Sequence, residues 1–203
     1  MQHIQHRRYC VFDFEATGIR HEVEYITQIG AVIIEEGKVV EHRTFNSYVQ
    51  SPKPIPEPVE RFTGVYNSYL VDAPVLADIY EQFVQFTEGC VLVTHAGYEF
   101  DLPLLRMECE RNNLKMLSNR CLDTKALFTY LYPDNPNILT TNYLVHHYGI
   151  DDSSLKRHDA LDDSKLIAKL FLRLLEEFKA RNINDFILDK PIQVRRFEII
   201  PMV

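Results

Sequence analysis

The stretch that decides the fold is "VFDFEATG", residues 11–18, which places two acidic side chains inside an apolar strand pattern. Asp13 and Glu15 are two residues apart, so on a strand they project to the same face of a sheet. In an apolar setting each of two neighbouring carboxylates disfavours ionisation of the other. A divalent cation such as Mg²⁺ or Mn²⁺, which prefers oxygen ligands, removes that penalty. The stretch therefore predicts a metal site at the end of a central strand, with two solvated acids on an exposed strand as the alternative.

Hydrophobic patterns around this stretch predict an α/β domain. Residues 9–14 form a first strand, and residues 28–49, "QIGAVIIEEGKVVEHRTFNSYV", form two more strands with a turn at 36–37. The proline-dense stretch 51–58 is predicted to be a connecting loop. Helices and strands then alternate: helix 74–88, strand 90–96, helix 102–112, a short strand feeding a helix within 121–131, and helix 160–179. This order predicts a mixed five-stranded sheet, an antiparallel meander plus parallel strands, with helices on both faces.

Composition narrows the class of protein. The 203 residues are 46% hydrophobic and 25% charged, as in ordinary soluble domains. A net charge of −7 argues against a protein that coats long nucleic acids, but it is compatible with an enzyme that binds only a chain end. We expect a cytoplasmic protein without a membrane partner, because the sequence shows neither a membrane span nor a secretory signal. The four cysteines lie far apart, which predicts buried apolar thiols rather than a zinc cluster or disulfides.

Two further acidic stretches are ambiguous when each is taken alone. Asp101, in "THAGYEFDLPLL" (94–105), follows a buried strand and opens a helix, so it is either a helix cap or a ligand. In "RHDALDDSKLIAKLF" (157–171), the acids near the helix start complement the helix dipole. His158 alone is typical of a surface or capping residue.

Together the three stretches resemble the DnaQ-like 3′→5′ exonucleases, the DEDDh branch of the ribonuclease H-like superfamily. The family's D-x-E-T/A-T-G motif is matched by residues 13–18, and a short form of H-N-x-x-x-F-D is matched by residues 95–101. Its H-x-A-x-x-D motif is matched by residues 158–163. The resemblance extends over about residues 8–178, in the family's order. One departure is Ala96, which stands where many members have Asn.

The resemblance implies a site for two divalent cations, Mg²⁺ or Mn²⁺. Its carboxylate ligands come from all three motifs and are also counted as catalytic: Asp13, Glu15, Asp101 and Asp163. His158 is implied as the general base, since an unperturbed imidazole titrates near neutrality. Asp162 is a rival ligand, but the motif spacing selects Asp163.

Contacts with a terminal nucleotide are implied for five residues: Glu15, Thr17, Gly18, Phe100 and His158. The backbone amides of Thr17 and Gly18 are expected to approach the terminal 3′-hydroxyl. Phe100 packs either near the terminal sugar or base or in the core. His95 and Asp123 are expected to be structural, with Asp123 bonding to local backbone.

The expected activity is release of nucleoside 5′-monophosphates from nucleic-acid 3′ ends, most readily from DNA in proofreading or repair. Trimming of RNA 3′ ends is the alternative; a catalytically inactive binding module and an aspartyl-phosphate phosphatase are weaker ones. A polymerase or a second copy of the chain is a candidate partner. Residues 1–180 are predicted to form the exonuclease domain, and residues 181–203 a tail that is either an extra edge strand or a docking segment.

Overall fold

The architecture is described by a computed structural model, which covers residues 4, 7–186, 192–194 and 197–199. Five strands form the main sheet: β1 (Tyr9–Ala16), β2 (Ile26–Glu35), β3 (Lys38–Tyr48), β4 (Val91–Thr94) and β5 (Cys121–Asp123). Their spatial order is β3–β2–β1–β4–β5, so β1 is central. β1, β2 and β3 pair antiparallel, whereas β4 runs parallel to β1 and β5 parallel to β4. The predicted mixed sheet is confirmed.

Seven helices flank the sheet within the described residues: α1 (Glu57–Thr63), α2 (Asn67–Leu70), α3 (Leu76–Phe86), α4 (Asp101–Arg111), α5 (Thr124–Leu131), α6 (Thr141–Tyr148) and α7 (Ala160–Ala180). The three helices predicted in full, α3, α4 and α7, are present with bounds shifted by one or two residues. The loop prediction for 51–58 was wrong at its end, because α1 begins at Glu57. Pro58 fits this first turn, where its missing N–H has no helical acceptor in any case.

The tail after α7 contains two short strands, β6 (Ile192–Val194) and β7 (Phe197–Ile199). They pair antiparallel in a two-stranded sheet of their own, so neither is an edge strand of the main sheet. The rest of the predicted tail, 187–191, 195–196 and 200–203, lies outside the described residues, as do residues 1–3 and 5–6 of the predicted domain. In the part of the chain that the structure describes, no helix has the length and apolarity that crossing a bilayer requires.

The alternation of side chains along β1 divides the core into two layers. Cys10, Phe12 and Phe14 are buried against α3 and α4. Tyr9 and Val11 are buried on the opposite face against α5 and α7. Because side chains on a strand alternate with a period of two, the odd-numbered Asp13 and Glu15 lie on the α7 side. Cys10, Cys90 and Cys109 are buried and Cys121 is partly buried; all four are free thiols, as expected.

Helix α7 approaches β2 very closely at its first turn. A β-carbon on Gly30 would stand 2.0 Å from the carbonyl carbon of Ala160, so only glycine permits this contact. Beside it, the fully buried Gln28 accepts a hydrogen bond from the Ala160 N–H (3.2 Å) and donates one to the Asp159 carboxylate (3.2 Å). These contacts fix the start of α7 above the end of β1.

Candidate active site

The carboxyl-terminal part of β1 opens into a polar cavity of about 220 Å³, lined among others by Asp13, Glu15, His158 and Asp163. Register slips between Glu15 and Ala16, so a β-bulge ends the regular pairing there. Bulges re-aim side chains at strand ends and are frequent beside active sites. Residues from the first and third motifs are thus brought together by the packing of α7 on β1.

Asp101 reaches the same place from the start of α4. Its buried carboxylate accepts hydrogen bonds from the Phe14 N–H (3.3 Å) and the Thr94 hydroxyl (3.4 Å). The residue that precedes α4 is Phe100, and no side-chain bond caps this helix. The capping alternative for Asp101 is therefore not what the structure shows, because the carboxylate is turned towards β1.

Asp163 and Asp162 have opposite surroundings. Asp163 faces the cavity and accepts hydrogen bonds from the His158 N–H (2.8 Å) and from Arg157 Nε (3.0 Å). Asp162 instead binds Lys165 Nζ (2.8 Å) and the backbone N–H of Lys156 (3.0 Å). Burial raises the pKa of Asp163, whereas the hydrogen bonds of Asp162 outweigh its burial and lower its pKa. Asp163 is the one of the two placed for ligation.

Electrostatic repulsion accumulates in this cluster. Burial, together with the charges of Asp101, Glu15 and Asp163, raises the pKa of Asp13 well above its usual range. Burial and the charge of Asp163 raise the pKa of Glu15 to about 8, and burial raises that of Asp101 to about 7. Arg157 offsets part of this repulsion. The cluster therefore stores unfavourable charge interactions that a divalent cation would relieve.

The donor set fits such a cation. Glu15, His158 and Asp163 each offer one ligand atom, and these atoms lie within 4.8 Å of one another. Carboxylate oxygens dominate the cluster, and hard ions such as Mg²⁺ and Mn²⁺ select oxygen ligands. The residues present are thus chemically suited to divalent metal.

His158 lies in the loop before α7 with a left-handed backbone (φ 60°), a conformation that His tolerates better than most residues. Its ring packs against the ring of Phe62 in α1 in a tilted arrangement, with ring centroids 3.9 Å apart and an interplanar angle of 35°. Phe62 is itself 65% exposed. The imidazole is therefore held at the mouth of the cavity by an aromatic neighbour.

His95 and Asp123 both make local structural contacts, and His95 also lines the cavity. His95 Nδ1 lies 2.8 Å from the Thr124 hydroxyl, and burial lowers the pKa of this imidazole to about 3, so the ring stays neutral. Asp123 caps α5 by accepting a hydrogen bond from the Lys125 N–H (2.8 Å). Both residues tie the ends of β4 and β5 to the start of α5.

The expectation for Thr17 was wrong. Thr17 is only 1% exposed, its N–H donates to the Tyr25 carbonyl (3.0 Å), and its hydroxyl donates to the Glu24 carboxylate (2.5 Å). Neither donor is available to a nucleotide. The Glu24 carboxylate also lies beneath Gly18, where a β-carbon would stand 2.8 Å from it, and binds Lys53 Nζ at 2.5 Å. Thr17 and Glu24 thus support the turn from inside the protein.

Phe100 packs against the core layer that contains α3 and α4. Its side chain is only partly buried, so contact with a terminal sugar or base stays a prediction. Three residues near the site were missed by sequence reasoning: Gln28, Phe62 and Arg157. Each is a common residue type outside the acidic motifs, and only the folded structure brings it to the cavity or to the start of α7. The one sequence signal was the position of Arg157 beside His158.

A central strand with convergent acids, in a mixed sheet covered by helices on both faces, defines a ribonuclease H-like nuclease fold. The chain belongs to the exonuclease family whose model, described as RNase T exonuclease, matches residues 10–171. The resemblance seen in the sequence motifs is thereby confirmed. Enzymes of this family depend on divalent metal.

Individual relatives agree with this assignment. The chain is 29% identical over 197 residues to a DNA polymerase III PolC-type protein of Caldanaerobacter subterraneus, covering 94% of this chain and 14% of that protein. It is 35% identical over 179 residues to a DNA polymerase III subunit epsilon-like protein of Rhodobacter capsulatus, covering 88% of this chain and 25% of that protein. The chain therefore spans a quarter or less of the length of these two relatives. The nuclease domain of 3′hExo, a DEDDh family member bound to rAMP, shares the fold with a TM-score of 0.75 at 20% identity, over 86% of this chain and 94% of that domain.

Proposed function

We propose that this chain is a 3′→5′ exonuclease that hydrolyses phosphodiester bonds at nucleic-acid 3′ ends and releases nucleoside 5′-monophosphates. The observation that supports it is one cavity lined by three carboxylates and His158, with the fourth carboxylate, Asp101 of α4, close enough to Asp13 to act on its ionisation. Family membership supplies the reaction class. An inactive binding module would have no need to retain this charged cluster against its own repulsion.

Each of the clustered side chains has a proposed role. The ligands of two divalent cations, Mg²⁺ or Mn²⁺, are Asp13, Glu15, Asp101 and Asp163. When bound, such ions supply positive charge to the attacking and leaving oxygens of the phosphodiester. His158, at the mouth of the cavity, takes the proton from the attacking water as general base.

Residues around the cavity position the substrate. Glu15 accepts a hydrogen bond from the terminal 3′-hydroxyl, and Gly18 brings the supported turn close to the same nucleotide. Arg157 holds one oxygen of Asp163, as its Nε contact of 3.0 Å indicates. Arg157 therefore fixes the orientation of the Asp163 carboxylate, which would otherwise be able to rotate.

DNA is the proposed substrate and RNA the second candidate, because the curated relatives are named as DNA polymerase III proteins. By the same reasoning, a polymerase is a proposed partner, with a homodimer as the alternative. The motifs act on the phosphodiester and tolerate either sugar, so both nucleic acids belong in the test.

The test uses matched 5′-labelled DNA and RNA oligonucleotides, single- and double-stranded, incubated with the protein and Mn²⁺. We expect ladders shortened from the 3′ end and release of mononucleotides, strongest for DNA. Asp13→Ala should abolish the ladder while thermal unfolding stays cooperative. Glu108→Gln, a change at another buried acid that lines a different cavity, serves as the matched control. An intact substrate with the wild-type protein, or a full ladder with Asp13→Ala, would contradict the proposal.

A further inference from the structure

Beside the cavity, α1 and α2 carry exposed aromatic side chains that the catalytic roles do not use. Tyr66 and Tyr69 are 41% and 46% exposed. The Tyr69 ring lies 5.4 Å from the Tyr66 ring and 5.4 Å from the Tyr48 ring, measured between centroids. Together with Phe62, these residues are called the aromatic strip. Neighbouring aromatic rings that stay exposed to solvent often mark a binding site.

The strip is continuous with the candidate active site. At one end the Phe62 ring packs against the His158 ring, with 3.9 Å between the ring centroids. At the other end Tyr48 stands opposite Gln28 in the β2–β3 pairing, and Gln28 binds Asp159 of the loop that carries His158. Both ends of the strip therefore adjoin the loop that carries His158, beside the place where a 3′ end would be cut.

The backbone under the strip is well fixed. Asn67, the first residue of α2, accepts a hydrogen bond from the Ile55 N–H (2.7 Å) and donates to the Ile55 carbonyl (2.9 Å). Its side-chain amide also donates to Glu60 of α1 (2.7 Å). The rings are thus presented by a pre-organised support, which lowers the entropic cost of binding a ligand.

A positive charge lies next to the strip. The Lys156 ammonium packs over Gly64, between α1 and α2, 2.9 Å from where a β-carbon of Gly64 would stand. The Lys156 charge is close enough to Glu15 to act on its ionisation. A cation beside aromatic faces is the combination by which proteins bind single-stranded nucleic acids, phosphate to charge and base to ring.

We propose that the aromatic strip binds the single-stranded nucleotides that precede the 3′ end, with bases stacked on Tyr66 and Tyr69 and a phosphate on Lys156. This inference rests on the proposed exonuclease function. It makes the enzyme selective for single-stranded ends or overhangs, because a paired base does not expose its face to a ring.

The test separates the terminal site from the strip by substrate length. The p-nitrophenyl ester of thymidine 5′-monophosphate occupies the terminal site alone, whereas single-stranded oligothymidylates of increasing length also reach the strip. For the wild-type protein we expect kcat/KM to rise with length up to about four nucleotides. In Tyr66→Leu/Tyr69→Leu this rise should shrink about fivefold or more, through KM, while hydrolysis of the ester is unchanged.

Matched variants exclude a loss of packing. Tyr66→Phe/Tyr69→Phe keeps both rings and should retain the wild-type length dependence, as should Val84→Ala, which trims an exposed apolar residue on α3. Phe62 is left in place because its ring contacts His158. If the double Leu variant unfolds, Tyr66→Leu alone is measured in the same way.

Three results would contradict the proposed role of the aromatic strip. They are an unchanged length dependence of kcat/KM in the Leu variant, an equal loss of length dependence in the Phe variant, or a shift in oligomeric state without a change in KM. Failure of the proposed function would look different, since the wild-type protein would then hydrolyse neither the ester nor the oligonucleotides.

Discussion

Gly30 of β2 lies directly beneath Ala160, the first residue of α7, and leaves no room for a β-carbon between the two backbones. This contact fixes how closely the first turn of α7 approaches the sheet. Asp163 stands in that first turn, and His158 lies just before it. The geometry of the candidate site therefore depends on a residue that has no side chain and makes no contact with substrate.

Gly30→Ala should displace the start of α7, since the new methyl group would overlap the Ala160 backbone. We expect a loss of about 1–3 kcal/mol in the free energy of unfolding, as for other overpacked cores, and a fall in kcat larger than that loss alone explains. Denaturant titration and turnover on a 3′-labelled strand measure the two effects. Gly37→Asn at the open β2–β3 turn is the control, because Asn tolerates its positive φ. A Gly30→Ala protein with wild-type turnover would show that the contact does not position the site.

His158→Asn should lower kcat by about 10²–10⁴-fold, the usual effect of losing a general base. Asn is chosen over Ala because it tolerates the left-handed backbone at this position, so the loop is not strained by the change. Stabilisation by Mn²⁺, followed as the rise in unfolding temperature, should be largely retained through the carboxylates. His42→Asn, at an exposed site on β3, controls for the loss of an imidazole elsewhere. An unchanged turnover number would remove His158 from its proposed role.

The raised carboxylate pKa values predict how stability varies with pH. Folding raises the pKa of Glu15 to about 8 and that of Asp101 to about 7, so the folded state binds these protons more tightly than the unfolded state. Without metal, the contribution of these groups is fully present below about pH 4, the ordinary carboxyl value, and is lost as pH rises towards 8. Mg²⁺ should therefore raise the unfolding temperature much more at pH 8 than at pH 5.

Thermal unfolding in EDTA and in Mg²⁺ across this pH range measures the effect. The double variant Asp13→Asn/Glu15→Gln removes two of the repelling charges. It should be more stable than the wild-type protein in EDTA at pH 8 and should respond little to Mg²⁺. Equal Mg²⁺ stabilisation of the wild-type protein and of this variant would place metal binding elsewhere.

Ala96→Asn should stabilise the protein. Ala96 has a left-handed backbone (φ 61°), which costs an L-residue without a helpful side chain about 1–2 kcal/mol. Asn adopts this conformation more readily than Ala. We expect an unfolding temperature higher by about 2–4 °C for each kcal/mol regained. Ala96→Val should move it in the opposite direction, because a branched β-carbon is poorly tolerated at positive φ; a Val variant as stable as the Asn variant would refute the explanation.

The sheet and its long helices follow from the sequence because burial imposes a clear period on them. The alternation along β1 and the apolar stripe of α7 are such patterns, and the three acidic motifs mark the cavity. α1, α2 and α6 are short and carry little periodic signal. The expectation for the Thr17 amide failed because its acceptor, the Tyr25 carbonyl, is supplied by the path of the following loop. The close contact between Gly30 and Ala160 likewise depends on how distant segments pack, which no local sequence pattern indicates.

The acidic cluster is divided between β1 and α7, and this division has a consequence for when the site can form during protein synthesis. In a nascent polypeptide, Asp13 and Glu15 of the first motif emerge from the ribosome well before Asp163 of the third motif. Until α7 has been made and has docked on β1, the acidic cluster lacks Asp163, so the proposed metal site can assemble only after the chain has folded over this whole distance.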